Sequence, residues 1–171
     1  IHRYMFYDCE NLTNITIPDG VTEIRYGAFG NCTSLTNTTI PDGVTEIGDS
    51  VFENCTSLTN ITISDSIKSI GYRAFRGCAQ LADAQGFLIF NNILCGYFGN
   101  DTQVVIPNGI TRIDGGAFVG NESLKRVFIP DTVTNIGSRV FSGCKNLSDI
   151  TIPQNVTKIE EGAFANCKKL K

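Results

Sequence analysis

The chain has a single histidine, His2, beside its first residue. Histidine supplies much of the acid–base chemistry near neutral pH and many zinc ligands, so one copy at a terminus points away from both. None of the seven cysteines forms a C-x-x-C pair, which removes the close ligand spacing of small zinc sites. G-x-x-x-x-G-K, G-x-G-x-x-G and H-E-x-x-H are all missing, and with them the usual phosphate cradles and the zinc-protease helix. No stretch of 18 apolar residues could cross a membrane as a helix. No secretory leader is visible either. Charged residues make up only 18% of the chain, with a net charge of −3. No basic stripe interleaved with aromatics suggests a nucleic-acid partner. We expect no catalysis, no cofactor and no metal.

What fills the chain is repetition. Rows of 23 residues begin at Leu12, Leu35 and Leu58 and resume at Asp101, Leu124 and Leu147. A fixed period in this range marks a solenoid or array. All five prolines (Pro18, Pro41, Pro107, Pro130, Pro153) share one column, with Ser64 in the sixth place. Seven of the eleven phenylalanines (Phe6, Phe29, Phe52, Phe75, Phe118, Phe141, Phe164) share another.

Each column has a physical reading. In L-x-x-I-x-I, residues two apart point to one face of a strand, so Ile15 and Ile17 face inward and Asn14 and Thr16 outward. Proline cannot donate to a ladder and ends that strand. The "PDG" that follows is a turn. "VTEI" is a second short extended run, with Val21 and Ile24 inward. "GAF" is a tight bend or one helical turn that drives phenylalanine into the core. One row cannot bury its apolar side chains alone, whereas stacked rows share a continuous core.

The row L-x-x-I-x-I-P-x-x-V-x-x-I-x-x-x-A-F-x-x-C resembles the BspA-like, or Treponema pallidum-type, leucine-rich repeat. The departures are Thr38, Ser64, Asn121 and the segment at 84–100. The resemblance implies a β-rich, right-handed leucine-rich-repeat solenoid, with two short strands plus a short helical turn per 23-residue coil. We expect one domain over 1–171: a partial coil at 1–11, coils from 12, 35 and 58, an irregular hairpin coil at 81–100, coils from 101, 124 and 147, and the start of a further coil at 170. The chain starts inside a coil at Ile1, which reads as a piece of a longer repeat protein. The family implies an extracellular or cell-surface adhesin-like module that binds host matrix or plasma glycoproteins, or other cells, through its strand-lined face. The alternative is a structural spacer with no ligand of its own.

Cys9, Cys32, Cys55, Cys78, Cys144 and Cys167 share a column. They read as a ladder of buried thiols acting as small apolar residues, rather than as disulfides, because parallel side chains do not point at one another. Asn121 in that column suggests a polar group bonded to the backbone. Asp19, Asp42, Asp65 and Asp131 follow the proline column and read as turn residues. Another outward column runs Glu23, Glu46, Ser69, Arg112, Asn135, Lys158. It accompanies a change from net −5 over residues 1–100 (five basic, ten acidic) to net +2 over 101–171 (nine basic, seven acidic). Such a gradient can orient a partner.

The outward strand positions are the candidate binding surface. Early coils present Asn14, Asn37 and Asn60 among threonines; later ones present Gln103, then Lys125, Arg126 and Phe128. An exposed aromatic beside cations has the composition of a contact patch, and Phe128 stands where other rows carry Thr or Val. The segment "AQGFLIFNNILCGYFGN" at 84–100 shortens its coil from 23 residues to 20. Its Asn91-Asn92 suits a two-residue hairpin turn with φ > 0. Cys95 falls outside the ladder and is expected to be exposed. Phe87, Phe90, Tyr97 and Phe98 form a possible secondary patch.

Overall fold

The computed structural model describes all residues, 1–171. Contacts cluster into two compact units, Ile1–Asp83 and Ala84–Lys171. The first unit holds β1 (Asn14–Thr16), β2 (Glu23–Ile24), β3 (Asn37–Ile40), β4 (Glu46–Ile47), β5 (Asn60–Ile63) and β6 (Ser69–Ile70). The first strand of each coil builds the parallel sheet β1-β3-β5, and the second builds β2-β4-β6. The register is the row alignment itself: Asn14 pairs with Asn37 and Asn37 with Asn60.

The second unit holds β7 (Phe87–Phe90), β8 (Ile93–Tyr97), β9 (Gln103–Val105), β10 (Arg112–Ile113), β11 (Arg126–Phe128), β12 (Asn135–Ile136), β13 (Asp149–Thr151) and β14 (Lys158–Ile159). Its sheets are β9-β11-β13 and β14-β12-β10-β8-β7, parallel except for the antiparallel pair β7-β8.

Of the two readings of "GAF", the tight bend holds: it is a run of turns, and the chain's helical element is a 3-10 helix at Ala79–Leu81. The bend hydrogen bonds explain this. Ala28, Gly30 and Cys32 donate back three residues to Arg25, Gly27 and Phe29. The N–H groups between them, from Gly27, Phe29 and Asn31, donate to Asp49, Val51 and Glu53 of the next coil. Half of the donors thus serve the stack, so no helix can propagate. The alternation requires left-handed backbone on both sides of the phenylalanine: Gly27 (φ 60) and Asn31 (φ 59) in one coil, Ser50 (φ 55) and Asn54 (φ 60) in the next.

The phenylalanines brought inward by these bends stack. In the first unit, Phe6, Phe29, Phe52 and Phe75 have centroids 5.2, 5.3 and 5.4 Å apart, with planes within 12°. In the second, Tyr97 occupies the column, 5.0 Å from Phe87 and 5.3 Å from Phe118, and Phe141 and Phe164 continue the stack. Such rings gain about 0.5–1.5 kcal/mol per pair beyond their burial. The departures from the repeat are also accommodated locally. Thr38 is buried in an isoleucine position, and its hydroxyl donates to the Ile15 carbonyl at 3.3 Å. Ser64 replaces the turn proline by accepting from the Ser66 N–H at 3.2 Å.

The hairpin is as the two asparagines predict: Asn91 (φ 47) and Asn92 (φ 62) form the turn between β7 and β8. The register slips between Leu88 and Ile89, which face Gly96 and Leu94, so Cys95 is the extra residue of a bulge. The expectation that Cys95 is exposed is therefore corrected. It is half-buried in β8, and Cys9 is the exposed cysteine. The secondary patch is corrected too. Phe87 and Tyr97 are buried in the aromatic stack, while Phe90 and Phe98 are half-buried.

Candidate binding face

The thiol ladder is ordered by more than packing. Cys32, Cys55, Cys78, Cys144 and Cys167 each donate Sγ–H to the carbonyl of the preceding coil's phenylalanine, at 3.0–3.1 Å. The chain has only free cysteines. Burial pushes Cys32 up to about 11, and Cys78 and Cys144 up to about 12. These thiols stay protonated and make poor nucleophiles and poor metal ligands. Asn121 does the same task with an amide: Nδ2 donates to the Gly99 carbonyl at 3.1 Å, and Oδ1 accepts from the Ser123 and Leu124 N–H groups. Tyr97 donates its hydroxyl to Asp101 at 2.7 Å, and burial, with that acceptor, raises it to about 12. No group of three or more His, Cys, Asp or Glu side chains comes together.

The charged column is subtler than the rows imply. Glu23 pairs in register with Glu46, and Glu46 with Ser69; Arg112 pairs with Asn135, and Asn135 with Lys158. Several of these charges have a local counter-ion two residues on. Arg25 lies 2.8 Å from Glu23, and Lys158 lies 2.9 Å from Glu160. Arg112 pairs with Asp114, which is only 1% exposed. The signal was present as E-I-R in one unit and R-I-D and K-I-E in the other, with each pair straddling the inward isoleucine. Local pairing shortens the reach of the field on this side.

The two outward strand faces differ in chemistry. In the first unit, Asn14, Asn37 and Asn60 are exposed and in register. Asn14 and Asn37 donate to the hydroxyls of Thr13 and Thr36. Thr36 and Thr59 donate to the carbonyls of Thr13 and Thr36 at 3.0 and 3.2 Å. Much of this face is hydrogen-bonded to itself.

In the second unit, β9-β11-β13 places two columns side by side. One is Gln103, Arg126, Asp149; the other is Val105, Phe128, Thr151. Phe128 is 47% exposed and Val105 67% exposed. The Arg126 guanidinium lies 5.9 Å from the Phe128 ring centroid and 2.7 Å from an Asp149 carboxylate oxygen. Lys125 is exposed and joins Arg126, Gln103, Thr102, Ser148 and Asp149 around a shallow depression. The candidate residues Gln103, Lys125, Arg126 and Phe128 thus meet on one face. The sequence reading missed Asp149, although it follows Arg126 by one repeat and so had to sit beside it.

Comparison with known proteins agrees with the repeat fold. A family model for the BspA type leucine-rich repeat region matches in six copies, over residues 1–100 and 89–171. A crystal structure of a Treponema pallidum leucine-rich repeat protein is similar over all of this chain and 71% of its own length, at 30% identity and a TM-score of 0.58. A leucine-rich repeat protein from Bacteroides ovatus matches 94% of this chain at 34% identity and a TM-score of 0.54; the match spans only 45% of that protein. The pneumococcal vaccine antigen PcpA, at 20% identity and a TM-score of 0.56, shares the fold. No curated protein matches the chain. A family model that runs the length of the chain, on a stack whose register is the repeat, makes this chain a member of the BspA-type leucine-rich repeat family.

Proposed function

We propose that the chain is a non-enzymatic binding module of a secreted or surface-displayed protein, and that it contacts a protein or glycoprotein partner through the β9-β11-β13 face. The observation that carries this reading is Phe128. It lies on the central strand of its sheet, half exposed, beside an exposed Val105 and under an arginine. Covering a large exposed aromatic takes its apolar surface out of water and so favours binding, and aromatics and arginine dominate binding hot spots. No helix here is long and apolar enough to cross a membrane.

The test is binding to immobilised matrix and plasma glycoproteins by the wild type and by a Phe128→Ala/Arg126→Ala double variant. Both side chains are exposed, so the variant should keep its circular dichroism and melting temperature. Its affinity should fall at least ~10-fold, the scale of a hot-spot truncation. Unchanged binding would sink the assignment of this face.

A spacer role is the second reading. Its support is the face of the first unit, where Asn and Thr side chains spend hydrogen-bonding capacity on one another and on the backbone. It expects no retained partner for the wild type in the same assay.

A further inference from the structure

Resting on that assignment of the β9-β11-β13 face, we infer that its partner is an extended protein segment carrying a carboxylate two residues away from an apolar side chain. The face offers two adjacent columns separated by two residues along each strand: Gln103, Arg126, Asp149 and Val105, Phe128, Thr151. Residues i and i+2 of any extended segment point to the same side, ~6.6 Å apart. A segment lying along β11 therefore delivers one side chain to Phe128 and Val105, and the next but one to Arg126 and Lys125.

Charge complementarity selects the second side chain. Lys125 is exposed, lines the depression and makes no ion pair with a neighbouring carboxylate. Arg126 already has Asp149, but both partners are about half exposed, at 46% and 50%. A pair so open to water contributes little, so an incoming carboxylate can compete for the guanidinium. A partner cation would meet Lys125 and Arg126 and be repelled. A purely apolar segment would leave the ammonium and guanidinium without a counter-charge. Asp149 is the element that opposes the acidic segment, and it gives the inference a sharp test.

The probe is a labelled twelve-residue peptide repeating Leu-Thr-Asp-Thr, which places leucine and aspartate on one face. Its control repeats Leu-Thr-Asn-Thr. Binding of both to the full chain is followed by fluorescence anisotropy. The aspartate peptide should bind better than the control and lose affinity from low to high salt, since exposed ion pairs are screened. Lys125→Gln should weaken it by up to ~5-fold, the range of one exposed pair. Asp149→Asn should tighten it by ~2–5-fold by releasing Arg126 and removing a like charge. Phe128→Ala should abolish measurable binding of both peptides. Equal affinity for the two peptides, or weaker binding in Asp149→Asn, overturns the inference. So does failure of both peptides to bind. Glycoprotein binding that still depends on Phe128 in those cases leaves the assignment of the face standing. Glycoprotein binding indifferent to Phe128 and Arg126 removes the assignment itself.

Discussion

A buried thiol differs from a buried methyl group because it can lose a proton. Cys32, Cys55, Cys78 and Cys144 are fully buried, and burial raises each above its ordinary value near 9. The folded state therefore holds these protons more tightly than the unfolded chain does. Below pH 9 both states are protonated, and the full stability is present. Between pH 9 and about 11–12 only the unfolded chain releases the proton, so stability falls as pH rises. Each such thiol should contribute a slope of about 1.4 kcal/mol per pH unit in that window. Urea unfolding at pH 8, 9 and 10.5 should show the decline, and Cys78→Ala should make it shallower while lowering stability at pH 8. In parallel, a thiol reagent at pH 8 should modify Cys9 in the folded protein and reach Cys55 and Cys78 only after denaturation. Fast modification of Cys55 in the folded chain would contradict the hydrogen-bonded ladder.

Among the elements, the hairpin β7-β8 depends on its turn. Asn91 and Asn92 both lie in the left-handed region, at φ 47 and 62, where asparagine and glycine are tolerated and a β-branched residue is not. Asn92→Val should destabilise by about 1–2 kcal/mol through the left-handed penalty, and Asn92→Gly should be neutral or mildly stabilising. Paired chemical denaturation separates these outcomes; equal stability of the two variants would mean that the turn does not hold the hairpin in register. This turn was legible in the sequence because Asn-Asn names its own dihedrals. The strands were legible too, since hydrophobic period 2 and the 23-residue row fix both face and register. The left-handed positions two residues before each phenylalanine were not. They are filled by Gly27, Ser50, Arg73, Gly116, Arg139 and Gly162, a column whose common property is backbone geometry rather than side-chain type. The column two residues after each phenylalanine, with Asn31, Asn54, Gly77, Gly120, Gly143 and Asn166, could have been read, because asparagine and glycine advertise positive φ. The bulge at Cys95 escaped because a bulge is a property of two strands together. On the binding face, the exposure of Phe128 followed from period 2, whereas the Arg126–Asp149 pair required adding one repeat to one residue number.

At the scale of the molecule, stability is a sum of coils and of interfaces between neighbouring coils, because each coil touches only the next. The first unit shows the interface clearly. Each step of one repeat continues the phenylalanine stack, the cysteine bonds to phenylalanine carbonyls and the threonine bonds to threonine carbonyls. What makes two coils compatible is therefore the period and not the identity of a particular coil. Duplicating residues 35–57 in place inserts one whole period. Every column then continues: Phe52 meets a second Phe52, Cys55 finds the same phenylalanine carbonyl, and Asn54 finds an asparagine amide as it does at Asn31 (2.9 Å). Duplicating only residues 35–46 adds half a period and sets phenylalanines against strand positions. The full duplication should fold with the same circular dichroism shape and unfold with a larger denaturant slope, since more surface is exposed on unfolding. Its midpoint should be equal or higher. The half duplication should lose stability and cooperativity. If both insertions were tolerated alike, the shared columns would not be what holds neighbouring coils together, and the aromatic and thiol ladders would be by-products of repetition rather than its physical cause.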